Sequence, residues 1–271
     1  MPVYKDMYSR SAAFQQFETL KRNREKRAKQ KLFFLEGVHP VEQAVAAGYA
    51  FYAIGCDAEA RLSGWAEDMI RRARPEIVYR MAHALREELS DRDNPCELVC
   101  LVRMRPELKA IDAPDALYTV FDRATTPGNL GTVIRSADAF GSRCVITTGH
   151  SADFYDPQCV RASIGTLFHI DHAALESCDA AMAFFDSLPV RPKIVGTSAH
   201  GTALIDEVDM TGPVALVVGN ETFGLSKAWK ERCDVLAKIP IYGAASSLNV
   251  GCAATACLYE IARQRRQGAE R

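Results

Sequence analysis

The apolar positions of the chain fall into three zones of different pattern. Residues 1–31 are polar and basic, with Arg10, Lys21, Arg22, Arg24, Lys26, Arg27, Lys29 and Lys31 set against Glu18 and Glu25. Such a run is either a solvated helix face or a contact for an RNA backbone. In residues 32–104 the spacing Val38, Val41, Val45, ending at Gly48, predicts a helix, and 65–72 and 82–89 read the same way. Runs at 50–56, 76–79 and 98–102 predict short strands, which makes this zone a small α/β unit. Residues 105–117, with Pro106 and Pro114 among mixed charges, read as a linker.

From 118 to 271 the pattern changes. Strand-like runs at 118–121, 144–147, 193–196, 214–218 and 236–241 mostly alternate with helical stretches, predicting a parallel sheet covered on both faces. The last helix puts Val250, Ala253, Ala254, Cys257, Leu258 and Ile261 on one stripe, then turns basic at Arg263, Arg265 and Arg266. Its small residues, Gly251, Ala253, Ala254 and Ala256, would admit another backbone at close range, and the stripe is broader than one sheet needs.

Composition narrows the picture. Over 271 residues, 48% apolar and 25% charged is the balance of a soluble globular protein. A net charge of −1 leaves no molecule-wide basic field, so any nucleic-acid contact must come from local patches. The nine cysteines form no C-x-x-C pair, so reduced, mostly buried thiols are expected rather than disulfides or a zinc site. His169 and His172 lie three apart without a third ligand, which points to packing or surface roles, and His39 reads as a cap or core histidine. No metal is expected. The N-terminal residues lack the apolar stretch of a leader, so a cytoplasmic protein is expected. The 21 uncharged residues 239–259 carry Pro240, Gly243, Ser246, Ser247, Asn249 and Gly251, so they read as a buried soluble segment and not a membrane span.

Ligands of parallel α/β sheets bind at the carboxyl ends of strands. Three polar, glycine-containing segments sit there: 127–135, 219–226 and 239–249. There is no G-x-x-x-x-G-K-[ST] and no G-x-G-x-x-G after the first strand, which excludes two common nucleotide sites. The glycines instead leave backbone N–H and C=O groups open to close approach.

These segments carry a resemblance. Asn129-x-Gly131-x-x-x-Arg135-Ser136-Ala137-x-Ala139-Phe140-Gly141, then Val217-Val218-Gly219-x-Glu221-x-x-Gly224-Leu225-Ser226, then Ile239-Pro240-Ile241-x-Gly243-x-x-x-Ser247-Leu248-Asn249-Val250 are similar to the three motifs of the SpoU (TrmH-type) branch of SPOUT methyltransferases. The resemblance implies transfer of a methyl group from S-adenosylmethionine to a ribose 2′-hydroxyl of tRNA or rRNA. It also implies a homodimer and a knotted domain over 118–271, whose parallel sheet is threaded into a deep trefoil. Residues 32–104 resemble, through Glu36-Gly37-x-His39-x-Val41, the ribosomal-protein-like α/β domain that helps many members bind RNA.

By this resemblance the Gly219 backbone lies beside the cofactor, Ile239 and Leu248 line the adenine pocket through main-chain hydrogen bonds, and Thr197 touches the cofactor. Asn129, Arg135, Glu221, Ser247 and Asn249 match catalytic and site-shaping positions. Gly251 departs from the serine of many members. Each residue also has a plainer reading. Asn129 would suit a helix N-cap, Ser247 and Asn249 a cap on the last helix, Glu221 a lysine partner and Arg135 a surface position. A catalytically idle RNA-binding or ribosome-assembly protein on the same fold is the alternative function, and the intact polar set argues against it. Because a sulfonium loses its methyl group to leave a neutral thioether, the chemistry demands alignment more than a strong acid. An arginine holds its proton to a pH above about 12, so Arg135 is expected to orient the ribose and its phosphate rather than act as a literal base.

Overall fold

Short apolar strands in the first hundred residues assemble a five-stranded mixed sheet. They are β1 (Val3–Met7), β2 (Leu32–Glu36), β3 (Phe51–Asp57), β4 (Ile77–Met81) and β5 (Leu98–Arg103). Their order is β1-β4-β3-β5-β2, with β1, β4 and β3 parallel and β5 antiparallel to both β3 and β2. The computed structural model describes residues 2–105 and 116–269, so the expected linker at 105–117 falls almost wholly outside the described residues. The chain divides into two units, one formed by the N-terminal part together with 155–169, the other by 116–154 with 170–269.

The basic N-terminal run is part of the first unit's core. Helix Ala12–Arg22 is capped by Ser11, whose Oγ accepts from the Phe14 N–H at 3.4 Å, and it buries Phe14, Phe17 and Leu20. These pack with Phe34, Tyr79 and Met81. The expectation of a solvated or RNA-facing run fails at two positions. Lys21 is buried with Nζ 2.7 Å from Asp91, and Arg27, 2% exposed, donates to the Leu20 and Lys21 carbonyls at 3.0 and 3.1 Å. The reason is helical period: both cations sit on inward faces, where the peptide carbonyls of the first helix and an acid satisfy them. Lys26, Lys29 and Lys31 remain exposed. His39 is exposed beside Glu42, not a cap or core residue.

Residues 155–169 supply the other face of this unit. Tyr155 and Phe168 pack on Phe33 with ring centroids 4.5 and 5.9 Å away, and Leu167 is fully buried. His169 Nε2 lies 2.6 Å from the Gln43 side-chain oxygen. Phe168→Ala is expected to cost about 3–5 kcal/mol, as aromatic truncations in cores do. Urea unfolding measures this, and an unchanged midpoint would contradict the packing. A fragment beginning at 116 would leave the same aromatic residues without their core.

The second unit is a seven-stranded sheet of β6 (Leu117–Asp122), β7 (Cys144–Thr148), β8 (Asp171–Leu175), β9 (Lys193–Thr197), β10 (Ala203–Leu204), β11 (Val214–Val218) and β12 (Val235–Lys238). The order is β10-β12-β9-β11-β6-β7-β8 and every pairing is parallel. All residues of β6, β7 and β11 are buried, as continuous apolar strands at the centre of a parallel sheet should be. The strand expected to reach residue 241 stops at Lys238, two residues before Pro240. The segment 239–259, expected to be buried throughout, is buried only in part: residues 241–249 are exposed, and burial resumes at Val250, where the last helix, Val250–Ala269, begins. β12 lies between β9 and β10, and segment 198–205 runs along it, with the Ser198, Thr202 and Ile205 N–H groups donating to the Ala237, Leu236 and Lys238 carbonyls at 2.9, 2.9 and 3.0 Å. A Cβ on Gly201 would sit 2.5 Å from the Ala237 carbonyl carbon, so this crossing requires glycine.

The last helix uses its small residues within the chain. Gly251 faces Thr132 on helix Pro127–Ala139, where a Cβ would approach Thr132 Cγ2 to 2.7 Å, and Thr255 Oγ1 lies 2.6 Å from Ser136 Oγ. Ala254, Cys257, Leu258 and Ile261 are fully buried, leaving Cys252, Ala256 and Tyr259 exposed.

Candidate active site

The loop after β11 is a rigid turn. Asn220 and Gly224 exchange both backbone hydrogen bonds, at 3.0 and 2.9 Å, and Gly224 adopts φ +64°. The Asn220 side-chain oxygen accepts the Thr222 and Phe223 N–H groups at 2.9 and 3.0 Å, while its Nδ2 donates to the Arg123 carbonyl at 2.8 Å. Gly219 is hemmed in by this turn: a Cβ there would lie 2.3 Å from the Gly224 carbonyl carbon and the Leu225 nitrogen.

The turn delivers the Glu221 carboxylate to the start of helix Pro127–Ala139. One oxygen accepts from the Thr125 N–H and hydroxyl at 3.2 and 2.7 Å. The other accepts from the Thr126 N–H at 2.9 Å and from Asn129 Nδ2 at 3.2 Å. Burial opposes the charge, but the Thr125 hydroxyl and the backbone N–H groups of Glu221, Thr126 and Thr125 outweigh it and hold the carboxyl at about 2. A helix N-terminus favours an anion in the same sense. Glu221 therefore anchors a helix start, not a lysine.

From Asn129 the chain of contacts continues. Asn249 Nδ2 donates to Asn129 Oδ1 at 3.2 Å, and Asn249 Oδ1 accepts the Gly251 and Cys252 N–H groups at 2.9 and 3.4 Å. Asn249 thus caps the last helix and joins the network as well. Asn129 is not an N-cap: Thr126 holds that position, with Pro127 opening the helix. The three motif segments are joined by one line of side chains, Glu221 to Asn129 to Asn249.

Beside this line lies a cavity of about 330 Å³. Thr197, Gly219, Glu221, Ile239, Ser247 and Leu248, six of the candidate residues, line it. The Thr197 hydroxyl donates to the Val217 carbonyl at 3.2 Å, so its polar atom is committed to the sheet. Ser247 makes no hydrogen bond among the described residues. Arg135 stands apart: it is exposed on helix Pro127–Ala139, outside the cavity lining, with no hydrogen bond or ion pair among the described residues. Thr125, Thr126 and Asn220 build the site and escape the sequence reading, although the Thr126-Pro127 pair carries a helix-start signal.

The chain matches the SpoU rRNA methylase family over residues 116–259 and the SpoU L30e-like domain over 11–100. It belongs to the SpoU rRNA methylase family. This SpoU chain is 41% identical to the 23S rRNA (uridine(2479)-2′-O)-methyltransferase of Streptomyces viridochromogenes, over 98% of this chain and 95% of that protein. It is 30% identical to the 23S rRNA (guanosine(2553)-2′-O)-methyltransferase RlmP of Bacillus subtilis, over 88% of this chain and 91% of that one. Among solved structures, the SpoU methyltransferase AviRb of Streptomyces viridochromogenes in complex with AdoMet superposes with a TM-score of 0.90 at 40% identity, covering 95% of this chain and 99% of that one. The AdoMet-bound rRNA methyltransferase of Sinorhizobium meliloti gives 0.86 at 27% identity, covering 96% and 98%.

The cavity of this SpoU chain fits S-adenosylmethionine on its own features. No hydrogen bond engages the backbone of residues 239–248 among the described residues, although Ile239, Ile241, Ser247 and Leu248 of this segment line the cavity. Unpaired backbone groups beside apolar side chains are what the edge and faces of an adenine need.

Proposed function

We propose that this chain, an S-adenosylmethionine-dependent RNA ribose 2′-O-methyltransferase, acts on 23S ribosomal RNA. The observation that carries the reading is its likeness across both units to a 23S rRNA 2′-O-methyltransferase, 41% identical over 98% of the chain. Mapping 2′-O-methyl positions in ribosomal RNA from cells with and without the protein tests it. One 23S ribose should lose its methyl group when the protein is absent, and a change confined to tRNA would overturn the rRNA reading.

In this reading the backbone of 239–248, with Ile239 and Leu248, takes the adenine, and the Gly219 backbone lies beside the cofactor. Bound S-adenosylmethionine supplies an electrophilic methyl group on a leaving group that departs neutral. The protein's task is alignment. Glu221 fixes the first turn of helix Pro127–Ala139 and, through Asn129, the Asn249 cap, so that the loops on either side of the ribose keep one spacing. Ser247, with its hydroxyl free of protein partners, faces the same space. Arg135 holds the ribose and the neighbouring phosphate.

The first unit supplies RNA affinity through its exposed cations. Replacing Lys26 and Lys29 by glutamine is expected to flatten the salt dependence of RNA binding by about 0.7 logarithmic units per lost contact on a single strand. Filter binding at several salt concentrations checks this, and an unchanged slope would remove the surface from the RNA path. The protein acts as a cytoplasmic homodimer. The interface uses the side of the last helix left exposed, Cys252, Ala256 and Tyr259, whose ring lies 6.0 Å from that of Phe140. Sedimentation should give twice the chain mass of 29.8 kDa, and a monomer at micromolar concentration would refute the dimer. Among the described residues no helix is long and apolar enough to cross a membrane.

A further inference from the structure

We propose that Phe223 is a stacking platform for a base of the substrate RNA and that Lys230 takes a phosphate beside it, an inference that rests on the RNA-methylating reading above. Phe223 is 76% exposed although it is a large apolar ring, and it lines the same cavity as Glu221, two residues away on the same turn. Its backbone is not loose. The paired Asn220 and Gly224 and the Asn220 side chain fix the turn on both sides of it, so the ring is presented from a rigid base. An exposed aromatic ring at a site mouth is a surface for another flat group.

The charge nearby selects the kind of group. Lys230 also lines the cavity, and its ammonium has no ion-pair or hydrogen-bond partner among the described residues, whereas the neighbouring Lys227 lies 3.7 Å from Glu231. An aromatic face beside an uncommitted cation suits a nucleotide: base stacking is tolerant of base identity, and the phosphate meets the charge. The cofactor has other apolar walls in Ile239 and Leu248.

The test compares Phe223→Ala, Phe223→Leu and Phe223→Trp with the wild type in methyl transfer to total RNA from cells lacking the protein. The alanine variant should lose about tenfold to a hundredfold in kcat/KM, the span expected for one stacked base. The leucine variant should lose nearly as much, because it keeps apolar bulk but no π-face, and tryptophan should restore transfer. S-adenosylhomocysteine binding by calorimetry and the sedimented mass should stay at wild-type values in all three. Lys230→Gln should weaken RNA binding and flatten its salt dependence. Wild-type transfer by the alanine or leucine variant overturns the proposal. So does a matching loss of S-adenosylhomocysteine affinity, which would put the ring on the cofactor, or a change in mass, which would put it in an interface between copies. If the methyl group enters tRNA, the rRNA reading fails while the ratio between variants still reports on Phe223.

Discussion

Glu221→Gln is expected to lower methyl transfer by about a hundredfold or more, the scale on which a misplacement of about 1 Å at a reacting centre is felt. The carboxylate accepts from five donors spread over both oxygens, the Thr125 N–H and hydroxyl with Asn220 Nδ2 on one, the Thr126 N–H and Asn129 Nδ2 on the other. A carboxamide has one accepting oxygen, and its amide nitrogen would face N–H donors whichever way it turned. Turned one way, the amide nitrogen leaves the Thr125 N–H without a partner; turned the other, it leaves the Thr126 N–H and the Asn129 amide without one, and Asn129 is the link to Asn249. The loss of the helix cap should also cost about 0.5–2 kcal/mol of stability. A carboxyl held at about 2 is a weak proton acceptor near neutrality, so Glu221 is expected to act by positioning and not as the base. The pH dependence follows from the sign of that shift. The folded carboxyl lies below its ordinary 4.5, so its stabilisation is complete above that value and is lost as pH falls towards about 2. Transfer rates between pH 6 and 9 should therefore show no titration from Glu221. A Glu221→Gln enzyme with wild-type kcat, or one whose only defect is a changed pH profile in that interval, would contradict the positioning role.

The sequence announces the centre of the second unit more clearly than its edge. Five consecutive apolar residues make β11 legible, and all five are buried. β8, with the sequence DHAAL, is missed because it lies at the edge of the sheet and only Ala173 is buried, so it carries no apolar pattern. β1 is missed for the same reason: four of its five residues are exposed and it pairs on one side alone. β2 carries a strong run, LFFLE, but stands directly behind a basic segment and is read as the boundary between zones. In that segment the charge count hides a helical period, which is why Lys21 and Arg27 look like free cations when both are buried. At the site, residue identities are legible from the motifs and the connections are not. Glu221 and Asn129 are 92 positions apart, and Asn129 and Asn249 are 120 apart, so no local spacing could announce their hydrogen bonds. The open backbone of 239–248 is also invisible in sequence, because composition suggests burial there while the chain leaves the segment exposed along the cavity.

Arg135→Ala should separate binding from turnover in the opposite sense to the loss of surface lysines. Arg135 is exposed and has no hydrogen bond or ion pair among the described residues, so its removal leaves no orphaned group behind. Stability should stay within about 0.5 kcal/mol of wild type, as for other surface substitutions free of buried partners. It lies outside the cavity lining, so S-adenosylhomocysteine binding should be unchanged. Methyl transfer should nevertheless fall by about a hundredfold or more at saturating RNA, the cost of losing a group that orients or stabilises a transition state. A guanidinium grips a phosphate or a ribose oxygen as a planar fork, which an ammonium cannot copy, so Arg135→Lys should recover only part of the rate. Single-turnover transfer of labelled methyl groups, run beside filter binding and calorimetry, reads all of these quantities. Should Arg135→Ala transfer methyl at the wild-type rate, the orienting role would fall. A lysine enzyme as fast as wild type would leave charge alone as the requirement, and the fork geometry would then have no part in the reaction.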